Sequence, residues 1–265
     1  MMMTQQQIAA DLNILGAFCG VRDIEAPTPA ALRRRYAWAQ ADILILFGGS
    51  ILAGGEVAAA AMTQRLARKY MIVGGEGHTT AALRGKMREV CPEMDTAGRS
   101  EAELFSDYLN LRHGLTPDYL ECESTNCGNN VTNCLAVLQQ HHCPCRHVII
   151  IQDATMQRRM DAGFRKFLPG ATIVNFAAYR AEVVVRGGQL AYREEIPGMW
   201  EPERYLSLLL GEIPRLTDDA DGYGPQGRNY IAHVEVPRPV REAYRHLREE
   251  FPSRVRIAED RYASR

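Results

Sequence analysis

The sequence predicts an α/β protein: a Rossmann-like, open, mostly parallel sheet with helices on both faces, plus a C-terminal helical and irregular extension. Three observations carry that prediction. Apolar runs of strand length recur and end in glycine or small polar residues, as strands buried on both faces do. Between them, apolar residues return every three or four positions, the spacing of a helix face. Strand and helix then alternate about five times between residues 41 and 176, the pattern of a parallel sheet with crossover helices.

Residues 1–40 read as an N-terminal helical segment, broken at Pro27, Thr28 and Pro29. Residues 41–185 form the α/β core. Its first strand is Ala41–Gly48, closed by Gly48, Gly49 and Ser50. An alanine-rich helix is expected from Leu52 to Lys69, followed by a strand over 71–75. Ser100–Arg112 has Leu104, Tyr108 and Leu111 on one stripe, and Gly114 stops it. A short strand at 119–122 precedes a helix over Asn126–His142. His147–Asp153 is the plainest buried strand. Thr155–Leu168 is an amphipathic helix, and 171–176 a last parallel strand. Residues 186–265 form the extension, punctuated by prolines around helices at Glu201–Leu210 and Val240–Phe251; Trp200, Tyr205, Leu206 and Leu209 there need a surface to cover.

Composition narrows the function. The 265 residues are 46% hydrophobic and 24% charged, enough apolar material for a sizeable core and too much for a disordered chain. Thirty-one basic residues against 32 acidic ones leave a net charge of −1, so no broad nucleic-acid footprint is expected. No apolar run of about 18 residues is present, which argues against a transmembrane helix. The N-terminus lacks the basic start of a secretory signal: its first basic residue is Arg22, and Asp11 and Asn13 interrupt the apolar stretch. A cytoplasmic protein with reduced thiols is expected, and seven cysteines fit a disulfide framework poorly.

In open α/β sheets, ligands lie beyond the carboxyl ends of the strands. The residues after successive strands are therefore the candidate binding set: Gly48, Gly49 and Ser50; Gly74, Gly75 and Glu76; Ser124, Thr125, Asn126 and Asn130; Asp153, Thr155, Arg158 and Arg159. Glu101 joins them, because Ser100 and Glu103 complete a capping box and leave Glu101 unexplained. Glu101 and Asp153 are the candidate catalytic groups.

Plainer roles compete with each of these. The glycines permit tight turns, and their spacing matches neither a dinucleotide fingerprint nor a P-loop. Thr125 or Asn126 is a good N-cap, although Gly128, Asn129 and Asn130 exceed what a cap requires. Arg158 and Arg159 oppose the helix dipole in a first turn, so a bound carboxylate or phosphate is the attractive explanation. His141, His142, Cys143, Cys145 and His147 lack the spacing of a zinc site, and Asp218–Gly222 lacks the closing acid of a calcium loop. No metal is expected. The turn at 222–228 is either a structural corner or a flap on the ligand.

The strings DILILFGG (42–49), VGGEGH (73–78), GRSEAE (98–103), ECESTNCGNN (121–130) and QDATMQRR (152–159) also form a larger pattern. With ERYLSLLLGEIPRL (203–216) and DGYGPQGR (221–228), they resemble the YdcF branch of a domain-of-unknown-function family shared with SanA and ElyC. The likeness spans about residues 36 to 251. It implies a Rossmann-like fold and, for this branch, binding of S-adenosyl-L-methionine; the SanA and ElyC relatives are membrane-anchored and linked to the cell envelope. The family's strand-end glycines fall on Gly48, Gly49, Gly74 and Gly75, its loop glutamate on Glu101, and its E-x-x-S-x-x-(T/C)-x-x-N pattern on Glu121, Ser124, Cys127 and Asn130. Two positions depart from it. Asn129 stands where many members have Glu, and Thr155 where many have His.

The expected function is thus a cytosolic protein that binds a small molecule, S-adenosylmethionine by resemblance, with methyl transfer as one activity open to it. The alternatives are a hydrolase or transferase acting on a phosphorylated envelope or nucleotide metabolite, and a non-catalytic regulator in cell-envelope physiology. The oligomeric state is not legible.

Overall fold

The computed structural model describes residues 2–49 and 51–254. Five parallel strands form one sheet in the order β3-β2-β1-β4-β5, the Rossmann-like arrangement expected. They are β1 (Ala41–Phe47), β2 (Ala67–Val73), β3 (Tyr119–Glu121), β4 (His147–Ile151) and β5 (Thr172–Asn175). The chain runs outward one way from β1 to β3, then returns to place β4 on the other side of β1. The β1/β4 boundary is therefore the topological switch point, where the loops leaving the strands diverge.

From Ile43 onward, each residue of β1 is committed to one of two cores. Leu44 and Leu46 face the larger one, whereas Ile43, Ile45 and Phe47 face the other, all at most 2% exposed. That two-sided burial is why the strand reads as an unbroken apolar run. The helices are α1 (Gln5–Cys19), α2 (Pro29–Tyr36), α3 (Ala53–Thr63), α4 (Thr80–Val90), α5 (Glu101–His113), α6 (Cys127–Gln140), α7 (Gln157–Phe167), α8 (Pro202–Leu216) and α9 (Arg238–Glu250). Their starts follow local chemistry. Thr28 caps α2 with Pro29 in its first turn, and Ser100 with Glu103 forms the expected capping box of α5.

Four features differ from the sequence expectation. The alanine-rich helix ends at Thr63 rather than Lys69, because Arg65 adopts φ 53° and turns the chain into β2. The strand then begins four residues before 71. Its first half carries exposed Arg68 and Lys69, so no apolar run announces it. Helix α4, unanticipated, buries Leu83 and Met87 at i and i+4 around a helical Gly85. A hairpin of β6 (Val183–Arg186) and β7 (Gln189–Tyr192) turns on Gly187 and Gly188, both with the positive φ that a two-residue turn requires.

The C-terminal elements close over the N-terminal helix. α1 packs on α8, α9 and β6, and α8 also meets α7. Tyr205, Leu206 and Leu209 are buried there, as their side chains require. Among the described residues no helix is long and apolar enough to cross a membrane.

Candidate functional site

At the tips of β1 and β2, backbone and carboxylate meet closely. The Gly48 N–H donates to the Val73 carbonyl at 2.7 Å, and the Gly74 N–H to the Glu121 carbonyl at 2.9 Å. Glu101, first residue of α5, is fixed by its own N–H on the Gly75 carbonyl at 3.0 Å. Its side chain lies so near Gly48 that a Cβ there would sit 2.6 Å from Oε2 and 2.7 Å from the Glu101 Cβ. Only glycine fits that position. The carboxylate is 8% exposed and accepts from Thr80 Oγ1 at 2.8 Å and Thr79 Oγ1 at 3.3 Å. Burial raises its pKa above the ordinary carboxylate value, against the pull of those hydroxyls and of Arg84.

Across the switch point, β4 runs into Gln152 and Asp153. Asp153 Oδ1 accepts from the Thr155 N–H (2.8 Å), the Thr155 hydroxyl (2.7 Å) and the Tyr179 hydroxyl (2.8 Å). Burial raises this carboxyl as well, opposed by the Thr155 and Tyr179 bonds. Among the described residues no ion pair engages Glu101 or Asp153. Gln152 is buried and its side-chain nitrogen has no partner. Gly49, Gln152 and Asp153, with Leu46, Phe47, Ile51, Gly54 and Ala178, line a hollow of about 10 Å³, close to the space of one water.

The corner between β3 and α6 holds the densest polar text, and it is consumed internally. The Glu121 carboxylate, 4% exposed, accepts from the N–H groups of Glu123 (2.8 Å) and Ser124 (2.9 Å), the Ser124 hydroxyl and the Asn133 amide (3.2 Å). Asn126 caps α6 by accepting from the Gly128 and Asn129 N–H groups. Asn129 Oδ1 answers by accepting from the Thr125 and Asn126 N–H groups at 3.0 and 2.9 Å. Asn129 therefore completes a capping box, which accounts for its place in the first turn. It does at this position what Glu does in other boxes. Asn130 is half-buried in the first turn of the same helix.

Both arginines have partners within the protein. Arg158 donates to the Phe18 carbonyl and lies 4.2 Å from the Phe18 ring centroid. Arg159 makes a two-point pair with Glu212 at 2.6 and 2.8 Å, with the Glu212 side chain 1% exposed. Tertiary partners on α1 and α8, rather than a ligand, offset their unfavourable place in the dipole. Thr155 is spent on Asp153. Glu76 is exposed and faces Arg84 at 3.4 Å. Ser50 lies outside the described residues.

The structure thus brings together Gly48, Gly49, Gly74, Gly75 and Glu101 on one side of the switch and Asp153 with Thr155 on the other. Thr79, Thr80 and Tyr179 belong to the same place but stand in no motif, and Gln152 opens the 152–159 string without having been among the candidate residues. Lys86 of α4 also reaches over it, donating to the Gly198 carbonyl and sitting 4.4 Å from the Trp200 ring centroid, with the Asp153 charge close enough to act on it. This contact ties α4 to the segment leading into α8.

Elsewhere, His141 stacks on Tyr119 and His147 on Trp38. Among the described residues no three His, Cys, Asp or Glu side chains converge on a metal position. Asp218 and Asp219 hold their own turn through the N–H groups of Gln226, Asp221 and Gly222. A larger hollow, about 320 Å³, lies between β7, α8 and Phe251, apart from the strand tips.

No protein-family model matches the chain. The donor and acceptor set at the tips does suit S-adenosylmethionine: two carboxylates outside any described ion pair for its sulfonium and ammonium groups, and an unused amide donor for a ligand oxygen. The enclosed space is far below the several hundred Å³ such a ligand needs, so binding there requires the loops at the strand tips to move apart.

Proposed function

We propose that this chain binds S-adenosylmethionine at the carboxyl ends of β1, β2 and β4. One observation supports the reading: Glu101 is buried and Asp153 half-buried, and neither carboxylate stands in an ion pair among the described residues, although the Arg84 and Lys86 charges act on them. Carboxylates so placed are destabilised in their charged form, and a cationic ligand restores it. S-adenosylmethionine supplies a positive sulfonium and an activated methyl group; Glu101 and Asp153 bind and orient it. The pairing of Arg159 with Glu212 and the Nε bond of Arg158 to the Phe18 carbonyl weigh against a phosphorylated substrate.

Calorimetry at low salt tests this. S-adenosylmethionine is expected to bind about tenfold more tightly than S-adenosylhomocysteine, whose sulfur is neutral, a difference of roughly 1.4 kcal/mol. Glu101→Gln should shrink that ratio. Absence of heat at millimolar S-adenosylmethionine overturns the proposal.

A further inference from the structure

Gln152 follows β4 directly and is 1% exposed. Its two amide atoms are distinguished by their surroundings. The Asp153 N–H donates to Oε1 at 2.6 Å, so the other atom is the nitrogen. That nitrogen is buried with no hydrogen-bond partner among the described residues. Native proteins leave few donors in this condition, and each one calls for an explanation.

The explanation lies in the hollow Gln152 shares with Asp153. Asp153 Oδ1 already takes three bonds, whereas no described bond falls on Oδ2. One wall therefore offers a donor and another an acceptor, around a space of about 10 Å³. A water, or a ligand hydroxyl that displaces it, accepts and donates at once within that size. An ammonium would leave Gln152 unpaired, and a carboxylate oxygen would face Asp153 with like charge.

We propose that this hollow is a hydroxyl subsite, in which a ligand hydroxyl accepts from Gln152 Nε2 and donates to Asp153 Oδ2. Resting on the ligand reading above, that hydroxyl belongs to the ribose. Gln152 is then a specificity-determining residue. A site built around a hydroxyl discriminates strongly against the analogue that lacks it.

The test is a binding series with adenosine, S-adenosylmethionine and their 2′-deoxy and 3′-deoxy analogues. It is run on the wild type, Gln152→Glu, which keeps the acceptor for the Asp153 N–H, and Gln152→Met, which adds no charge. One deoxy analogue should bind the wild type at least about tenfold more weakly than its parent, and both variants should erase that gap. Thermal melts accompany each titration, so that a misfolded variant is recognised and the other decides. Equal binding of parent and both deoxy analogues by the wild type overturns the subsite, as does a gap that survives in the folded variants. Discrimination among adenosines without S-adenosylmethionine binding leaves the subsite standing and removes the sulfonium reading. Failure of every ribosyl compound to bind removes both.

Discussion

Two corners of the same sheet edge differ in what they do with their polar groups. At the β3/α6 corner, Glu121, Ser124, Asn126 and Asn129 bond one another and the local backbone. At the β1/β4 switch, Glu101 and Asp153 stand in no described ion pair and Gln152 keeps an unused donor. The first corner is richer in polar residues, the second in unspent bonding capacity. Ligand binding draws on the second quantity. A polar residue already satisfied by its neighbours has little to gain from a guest.

The sharpest way to break this contrast is to remove Glu121. Glu121→Ala strands two backbone N–H groups, a hydroxyl and an amide, most of them buried. A loss of about 3–5 kcal/mol is expected, a Tm lower by roughly 10 °C. Urea and thermal unfolding measure it. Protein that remains folded at low temperature should bind the ligand as before, and a large affinity loss without a stability loss would erase the distinction between the corners.

Glu101→Gln should do the reverse. Because burial raises the Glu101 pKa, the folded state holds its proton more tightly than the unfolded chain does. Its contribution is therefore most favourable at acid pH and is lost as pH rises from the ordinary carboxylate range through the raised folded value. The glutamine variant lacks this slope. In urea titrations between pH 4 and 8, the variant should gain on the wild type as pH increases, while its affinity for S-adenosylmethionine falls. A constant difference across that range would mean that Glu101 is no more desolvated than an ordinary surface acid.

A smaller effect separates cap from catalyst at Asn129. Asn129→Ala removes one half of the capping box, worth about 1 kcal/mol. Asn129→Glu restores a residue that closes such boxes and should lie within about 0.5 kcal/mol of the wild type, with ligand affinity unchanged. Denaturant midpoints check both.

The same distinction explains what could be read from the sequence. β1, β4 and β5 and the caps of α5 and α6 rest on local spacing, and local spacing is written in the chain. Arg158 and Arg159 looked free because their partners, Phe18 and Glu212, stand 140 and 53 residues away. Gln152 was invisible for a related reason: whether a donor is satisfied is decided only after every neighbour has been placed. β2 and the β6–β7 hairpin differ from these. The hairpin had a legible signal in its paired glycines, whereas the exposed Arg68 and Lys69 hid the start of β2.

The smallest expected stability effect belongs to the Lys86 tie, and its kinetic effect is the informative one. Lys86 gives up part of its hydration, its pKa is lowered chiefly by burial, and in return it holds the Gly198 carbonyl and the Trp200 face. A half-buried cation–π contact of this kind contributes about 0.5–1 kcal/mol, so Lys86→Met should shift Tm by only a few degrees. If the tie is the barrier to a closed, water-sized hollow, releasing it should raise the association and dissociation rates of S-adenosylmethionine together, with a much smaller change in Kd. Stopped-flow fluorescence of Trp200 reads those rates. An unchanged association rate in a folded Lys86→Met protein would place the entrance elsewhere, and the switch point would then have to open through the β4–α7 turn instead.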